Sequence, residues 1–346
     1  MSNLPSSDSL LPLGGDPEGD PEGRDRFADA AVSGQGVGKW SHPLRVWHLP
    51  LVLIVCVVAH QFGSLVGFAL VGGVVAYQNG QMTEQLGISD DEGGLSDQLD
   101  RANDAAFGQI IIIASVVFGQ LALGLVALGA AFLSPWSLPQ RLGLTRGHWP
   151  LRLWFVAGLA APSVGMLWSL ILQNFVDDSE SLKEMSEVFA SIGSAGFAVP
   201  LAVLVGLMPG VCEELVFRGY LQTRLVKAWG PLAGLCVASV LFAGFHFDPV
   251  HVLGVLPLGF YFGWLAWSSG SIFPAMFAHF VNNLIGVLAI TLLPRGETGE
   301  LIENTEDLPV AVVMIIFSVV LTSFVCLVAT IRQARQIGVD SRNAVP

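Results

Sequence analysis

Charge is what this sequence has least of. Only 13% of its 346 residues are charged, against about 25% in an average soluble domain. With 53% hydrophobic residues and a mean hydropathy of +0.63, too little polar surface remains to cover a soluble globule of this length. Basic residues are scarce in particular: 16 Lys and Arg face 28 Asp and Glu, a net charge of −12. Such a balance repels phosphate backbones, so a nucleic-acid partner is excluded. Cysteine is rare as well. Cys56, Cys212, Cys236 and Cys326 lie far apart inside apolar stretches, with no metal-ligand spacing and no disulfide framework. The class that survives is a polytopic membrane protein whose few charges sit outside its spans.

About 20 apolar residues cross a hydrocarbon core. That rule predicts an all-α protein of about eight transmembrane helices. The spans run roughly Leu49–Tyr77, Phe107–Leu133, Leu153–Gln173, Val199–Phe217, Pro231–Phe247, Val250–Trp267, Ile272–Leu293 and Leu308–Ile331. Residues 1–47 are rich in Pro, Gly, Ser and Asp and read as a disordered cytoplasmic tail. They lack the basic start and apolar run of a signal peptide. Residues 48–335 form the transmembrane domain, and 336–346 a short cytoplasmic tail.

Orientation follows from where the basic residues fall. With the N-terminus inside, the cytoplasmic segments hold 13 of the 16 Lys and Arg, and only Arg101, Lys183 and Arg295 lie outside. The outer segments are acidic, with seven acids in 79–106, five in 176–197 and five in 294–307. N-in and C-in is therefore the expected topology. The stretch 78–106 reads as a solvated loop. Apolar residues at 182, 185, 188, 189 and 192 predict a short helix lying on the outer surface.

An ionisable side chain within a span costs about 2.5–3.5 kcal/mol on insertion scales, and marks a functional site by default. Here such residues cluster in the second half: Glu213, Glu214, Arg218, His246, Asp248, His251 and His279, with the amides of Asn282 and Asn283. A separate pair, His60 and Gln61, lies in the first span. The turn Trp229-Gly230-Pro231 makes spans four and five a hairpin. Glu213 is 17 residues before Gly230 and His246 is 16 after it. At 1.5 Å per residue both reach about 25 Å from the turn, which sets them facing each other. His279 and Asn283 are four apart and share one helix face, as do Glu214 and Arg218. Glu213 and Glu214 diverge by about 100° around their helix. The economical division gives Glu213 to a cavity and Glu214 to a pair with Arg218, although the spacing alone permits the reverse.

A glutamate opposite a histidine can activate water, the carboxylate acting as general base. Donors from His279 and Asn283 can stabilise a tetrahedral oxyanion. The constellation suits hydrolysis of an acyl bond, most naturally a peptide. A zinc set of Glu213, His246 and His279, with water in the fourth place, is the competing chemistry. No span pairs a serine or cysteine nucleophile with an obvious base.

Three motifs carry a resemblance. They are Glu213-Glu214-x-x-x-Arg218, Phe242-x-x-x-His246 and His279-x-x-x-Asn283. In this order, and inside spans, they resemble the CPBP family of intramembrane proteases, which includes the type II CAAX prenyl endopeptidases and the bacterial Abi self-immunity proteins. The likeness covers about residues 195–293. It implies an eight-helix bundle with its active-site cavity inside, open toward the cytosol. It implies Glu213 as base, His246 as helper in activating water, and His279 with Asn283 at the oxyanion. Glu214 completes the catalytic set, and Arg218 and Phe242 support it. The family has been described both as metal-dependent and as glutamate-dependent. Competition for His279 between an oxyanion and zinc favours the glutamate reading, with no cofactor required and a divalent metal such as zinc as the alternative. The implied partners are membrane lipids and a peptide or protein substrate, with a lipidated C-terminus as the CAAX case.

Blander readings stand beside these. Asp248 and His251 read as turn and cap residues, His60 and Gln61 as interhelical contacts, Asn282 as packing or a hydrogen bond to lipid-facing backbone, and Phe217 and Phe242 as packing. For the whole chain, the alternatives to an endopeptidase are a non-enzymatic immunity or scaffold protein and a proton-coupled transporter. The charge pattern suits a bacterial inner membrane.

Overall fold

A computed structural model describes residues 46–86, 95–133, 137–293 and 310–343. Nearly all of the expected tail over 1–47, and the acidic outer segment over 294–307, lie outside the described residues. Among the described residues there is helix and no strand. The long helices are α1 (Leu49–Leu86), α2 (Leu95–Phe132) and α3 (Leu151–Leu172). The short α4 (Glu180–Ile192) leads into α5 (Ala198–Glu214), which continues through a π-helical stretch, Leu215–Gln222, into α6 (Thr223–Trp229). Then come α7 (Pro231–Gly244), α8 (Pro249–Ser269), α9 (Phe273–Leu292) and α10 (Val310–Asn343).

Among the described residues seven helical stretches are long and apolar enough to cross a membrane, and α7 is a shorter apolar helix. The protein is an integral membrane protein of the all-α polytopic class. The expected fifth span is corrected: α7 has 14 residues, about 21 Å at 1.5 Å per residue, short of a hydrocarbon core about 30 Å thick. It begins at Gly230-Pro231, as expected. Gly230 holds φ +88°, a conformation open chiefly to glycine, and Pro231 occupies the first helical turn. It ends early because the backbone turns at Phe245–Phe247, with Phe247 at φ +59°. Helices α1 and α2 also reach into the expected 78–106 loop, and α10 runs on to Asn343. Beyond the bilayer an unbroken run without proline can keep its i→i−4 hydrogen bonds, so hydropathy marks where the membrane ends and not where the helix does.

Large apolar side chains along α1 and α10, such as Phe62, Leu65, Phe317 and Leu321, are exposed. In a bilayer that surface meets lipid tails. The buried core is built from α3, α7, α8, α9 and the π stretch, with Phe217, Phe242, Phe262 and Leu265 at its centre. The short helix α4 forms as its periodicity predicts. Ser179 caps its first turn, and Phe189 and Ile192 are buried in a small cluster with Leu201, Ala202 and Val287. Gly196, at φ +87°, then turns the chain from the surface into α5.

Candidate active site

The two glutamates end α5, where the backbone widens into the π stretch. Such widened turns recur at functional sites because they re-aim side chains. Here they bring the whole Glu-Glu-x-x-x-Arg motif into the core. Glu213, Glu214 and Arg218 are buried, with Arg218 at 1% exposure.

Glu214 is the hub. One of its oxygens, Oε1, accepts from Arg218 Nη1 at 2.7 Å and from His279 Nδ1 at 2.9 Å. Arg218 also donates through Nη2 to the Gly259 carbonyl at 3.0 Å. Its guanidinium lies 4.1 Å over the Phe242 ring and 5.4 Å from that of Phe262. A buried cation needs this combination of counter-ion, carbonyl and aromatic face to offset its lost hydration. The His279 ring stacks on Phe262, with centroids 4.9 Å apart, and meets the edge of Phe242. A methyl group at Gly259 would sit tightly, 3.1 Å from the Phe242 ring and 3.2 Å from the Ser239 carbonyl oxygen, so the backbone packs closely where the carbonyl accepts.

Glu213 faces the other way. Its Oε1 accepts from Gln120 Nε2 of α2 at 2.8 Å, and its Oε2 is buried without a partner. His246 rests its Nδ1 against the Phe242 and Ala243 carbonyls, at 3.2 and 3.3 Å. Its ring packs against His251, with centroids 4.5 Å apart. No direct hydrogen bond joins Glu213 to His246. His251 lies within electrostatic reach of both, and His60 within reach of Glu213. The expected facing pair is thus a looser group, with two further histidines around it. Asn283 does not point where His279 does. Its amide donates to the Val205 carbonyl at 3.3 Å, and its oxygen accepts from Asn282.

Asp248 acts as a cap, as expected. Its Oδ1 accepts from the His251 backbone N–H at 2.8 Å and its Oδ2 from the Ser181 hydroxyl at 2.6 Å. These bonds, with help from Ser179, hold its carboxyl down at about 2. The α7–α8 turn, with His246 in it and His251 just after it, is thereby tied to α4. Among the described residues no three His, Cys, Asp or Glu are gathered so as to hold a metal ion. Of the set Glu213, His246 and His279, the last turns its Nδ1 to Glu214 and keeps only Nε2 for any other partner.

Gln120, His60 and Phe262 belong to no motif. Gln120 has a signal nonetheless: it is an amide in the middle of the apolar run of α2. Its partner is 93 positions away, so only the fold reveals what it serves.

These residues define a buried polar site inside a helical membrane bundle. Comparison with known proteins shows what the segment around that site is similar to. Residues 195–285 match the model of the Rce1-like family, described as type II CAAX prenyl endopeptidase Rce1-like. The matched segment carries all three motifs, in line with the resemblance they indicated. One curated relative is the protein named Uncharacterized protein YpbD of Bacillus subtilis (strain 168), 28% identical over 115 residues. The alignment covers 32% of this chain and 57% of YpbD, so the chain spans a little over half the length of that relative. No solved structure matches.

Proposed function

We propose that this protein is an intramembrane endopeptidase of the CAAX type. It hydrolyses a peptide bond with water activated by Glu213, inside a bacterial inner membrane and with both termini cytoplasmic. The observation that carries the reading is the Glu213 carboxylate: buried at 5% exposure, anchored at one oxygen and unpartnered at the other, within the segment that matches a protease family.

Glu213 Oε2 takes a proton from water as the water oxygen attacks the carbonyl carbon. His246 gives its Nδ1–H to its own helix carbonyl, so in the neutral ring Nε2 is an acceptor. It can hold the water's second hydrogen. The tetrahedral oxyanion needs donors. His279 offers Nε2–H once its ring is an imidazolium, with Glu214 as counter-ion. Arg218 on the same carboxylate leaves that cluster positive, which favours developing negative charge. Asn283 reaches the oxyanion only by leaving the Val205 carbonyl. Collapse breaks the C–N bond, and the proton on Glu213 passes to the leaving amine. No step runs through a metal. The substrate class is a peptide or protein, with a lipidated C-terminus as the CAAX case.

Sequencing of C-termini and membrane peptides in cells carrying wild-type or Glu213→Gln protein tests the reading. Peptides that lose their cleaved form in the variant support it, and identical sets contradict it.

A further inference from the structure

Gln120 stands outside the matched segment 195–285 and outside every motif, on a helix packed against α5. At neighbouring Gly119 a methyl group would run into Ser64 Oγ and lie 3.1 Å from His60 Nε2, so α1 and α2 are in close contact there. Both Gln120 and Glu213 are 5% exposed. Their single bond, Nε2 to Oε1 at 2.8 Å, leaves each with one buried oxygen lacking a partner, Gln120 Oε1 and Glu213 Oε2. Buried acceptors rarely stay empty, because each gave up its water on burial. A plain interhelical contact explains the donated hydrogen bond but not the two vacant acceptors.

A proton that reaches Glu213 Oε2 during the reaction gives both a use. An ionised carboxylate only accepts, whereas a protonated one carries an O–H donor, and an amide offers both roles. We propose that Gln120 is a positioning residue that serves Glu213 in both protonation states. Through Nε2 it holds the carboxylate before the reaction. Through Oε1 it accepts from the Oε2–H once the water's proton has moved there, until that proton passes to the leaving amine. No atom is gained or lost in the pair. This rests on Glu213 being the general base.

The test uses full-length protein in liposomes, with a farnesylated, internally quenched Cys-aliphatic-aliphatic-X peptide as probe. Gln120→Leu should lower kcat about 10- to 100-fold, the loss expected for a hydrogen bond to a charged group, with KM within about twofold. A purely structural contact would instead lower thermal stability and leave kcat of the folded fraction unchanged, which overturns the proposal. Infrared difference spectra give a readout that needs no cleavage. The Glu213 carboxyl band, assigned by its loss in Glu213→Gln, should shift in Gln120→Leu. An unmoved band overturns the assignment of Gln120. Wild-type protein inert on the probe contradicts the peptidase reading instead, and the infrared pair then still decides the role of Gln120.

Discussion

Glu214 Oε1 receives Arg218 and His279 together, at 2.7 and 2.9 Å. One buried oxygen thus joins the end of α5, the π stretch and α9. Glu214 thereby orients a neighbour, while Glu213 keeps an oxygen free. The two adjacent acids do different work because they leave the helix in different directions.

Removing Arg218 should cost stability first. Arg218→Met leaves the buried Glu214 carboxylate with His279 as its remaining partner, and losing one partner of a buried pair costs about 3–5 kcal/mol. Thermal unfolding in detergent checks this. A midpoint equal to wild type would mean that the pair is not buried as described.

The α5–α9 contact sets the Glu214–His279 distance. At Gly206 a methyl group would lie 2.9 Å from the Phe280 carbonyl oxygen. Gly206→Leu should therefore force the helices apart and cost about 1–3 kcal/mol. Gly286, on α9, has nothing within 4 Å of such a methyl. Gly286→Ala should be neutral or slightly stabilising, since alanine is the better helix former. Equal loss in both variants would contradict the close packing at Gly206.

The Asp248 link to α4 predicts an acid response. Its carboxyl is held at about 2, below the ordinary value of 3.8. The group thus contributes stability that is present above about pH 4 and is lost as pH falls through about 2. Hydrogen exchange in α4 should rise over that window in the wild type. Asp248→Asn should show raised exchange already at neutral pH and less change on acidification. A flat wild-type profile would exclude the link.

Metal removal distinguishes the two chemistries named from the sequence. His279 Nδ1 is engaged with Glu214, and Glu213 and His246 face separate partners. Peptide cleavage should therefore persist after dialysis against a strong chelator. Loss of activity, restored by zinc, would point to the metal reading.

Much of this was legible in the sequence, for identifiable reasons. The Glu214–Arg218 pair is an i,i+4 contact, and helix geometry alone brings it together. The Gly230-Pro231 turn and α4 are likewise local, written in turn chemistry and a 3.6-residue period. Tertiary partners were not legible. Gln120 meets Glu213 across two helices, and Asn283 finds a backbone carbonyl on α5. The short α7 was hidden because its apolar run continues through Phe245 while the backbone turns at Phe245–Phe247. The π stretch leaves no composition signal, as its residues are those of any helix.

Glu213 as general base is the central claim. The most direct measurement is the cleavage rate of purified protein in liposomes, wild type against Glu213→Gln, both shown to be folded by thermal unfolding. The substitution keeps shape and removes the base, so kcat should fall about 10²- to 10⁴-fold, the usual contribution of such a group. Cleavage at the wild-type rate by folded Glu213→Gln would contradict the account.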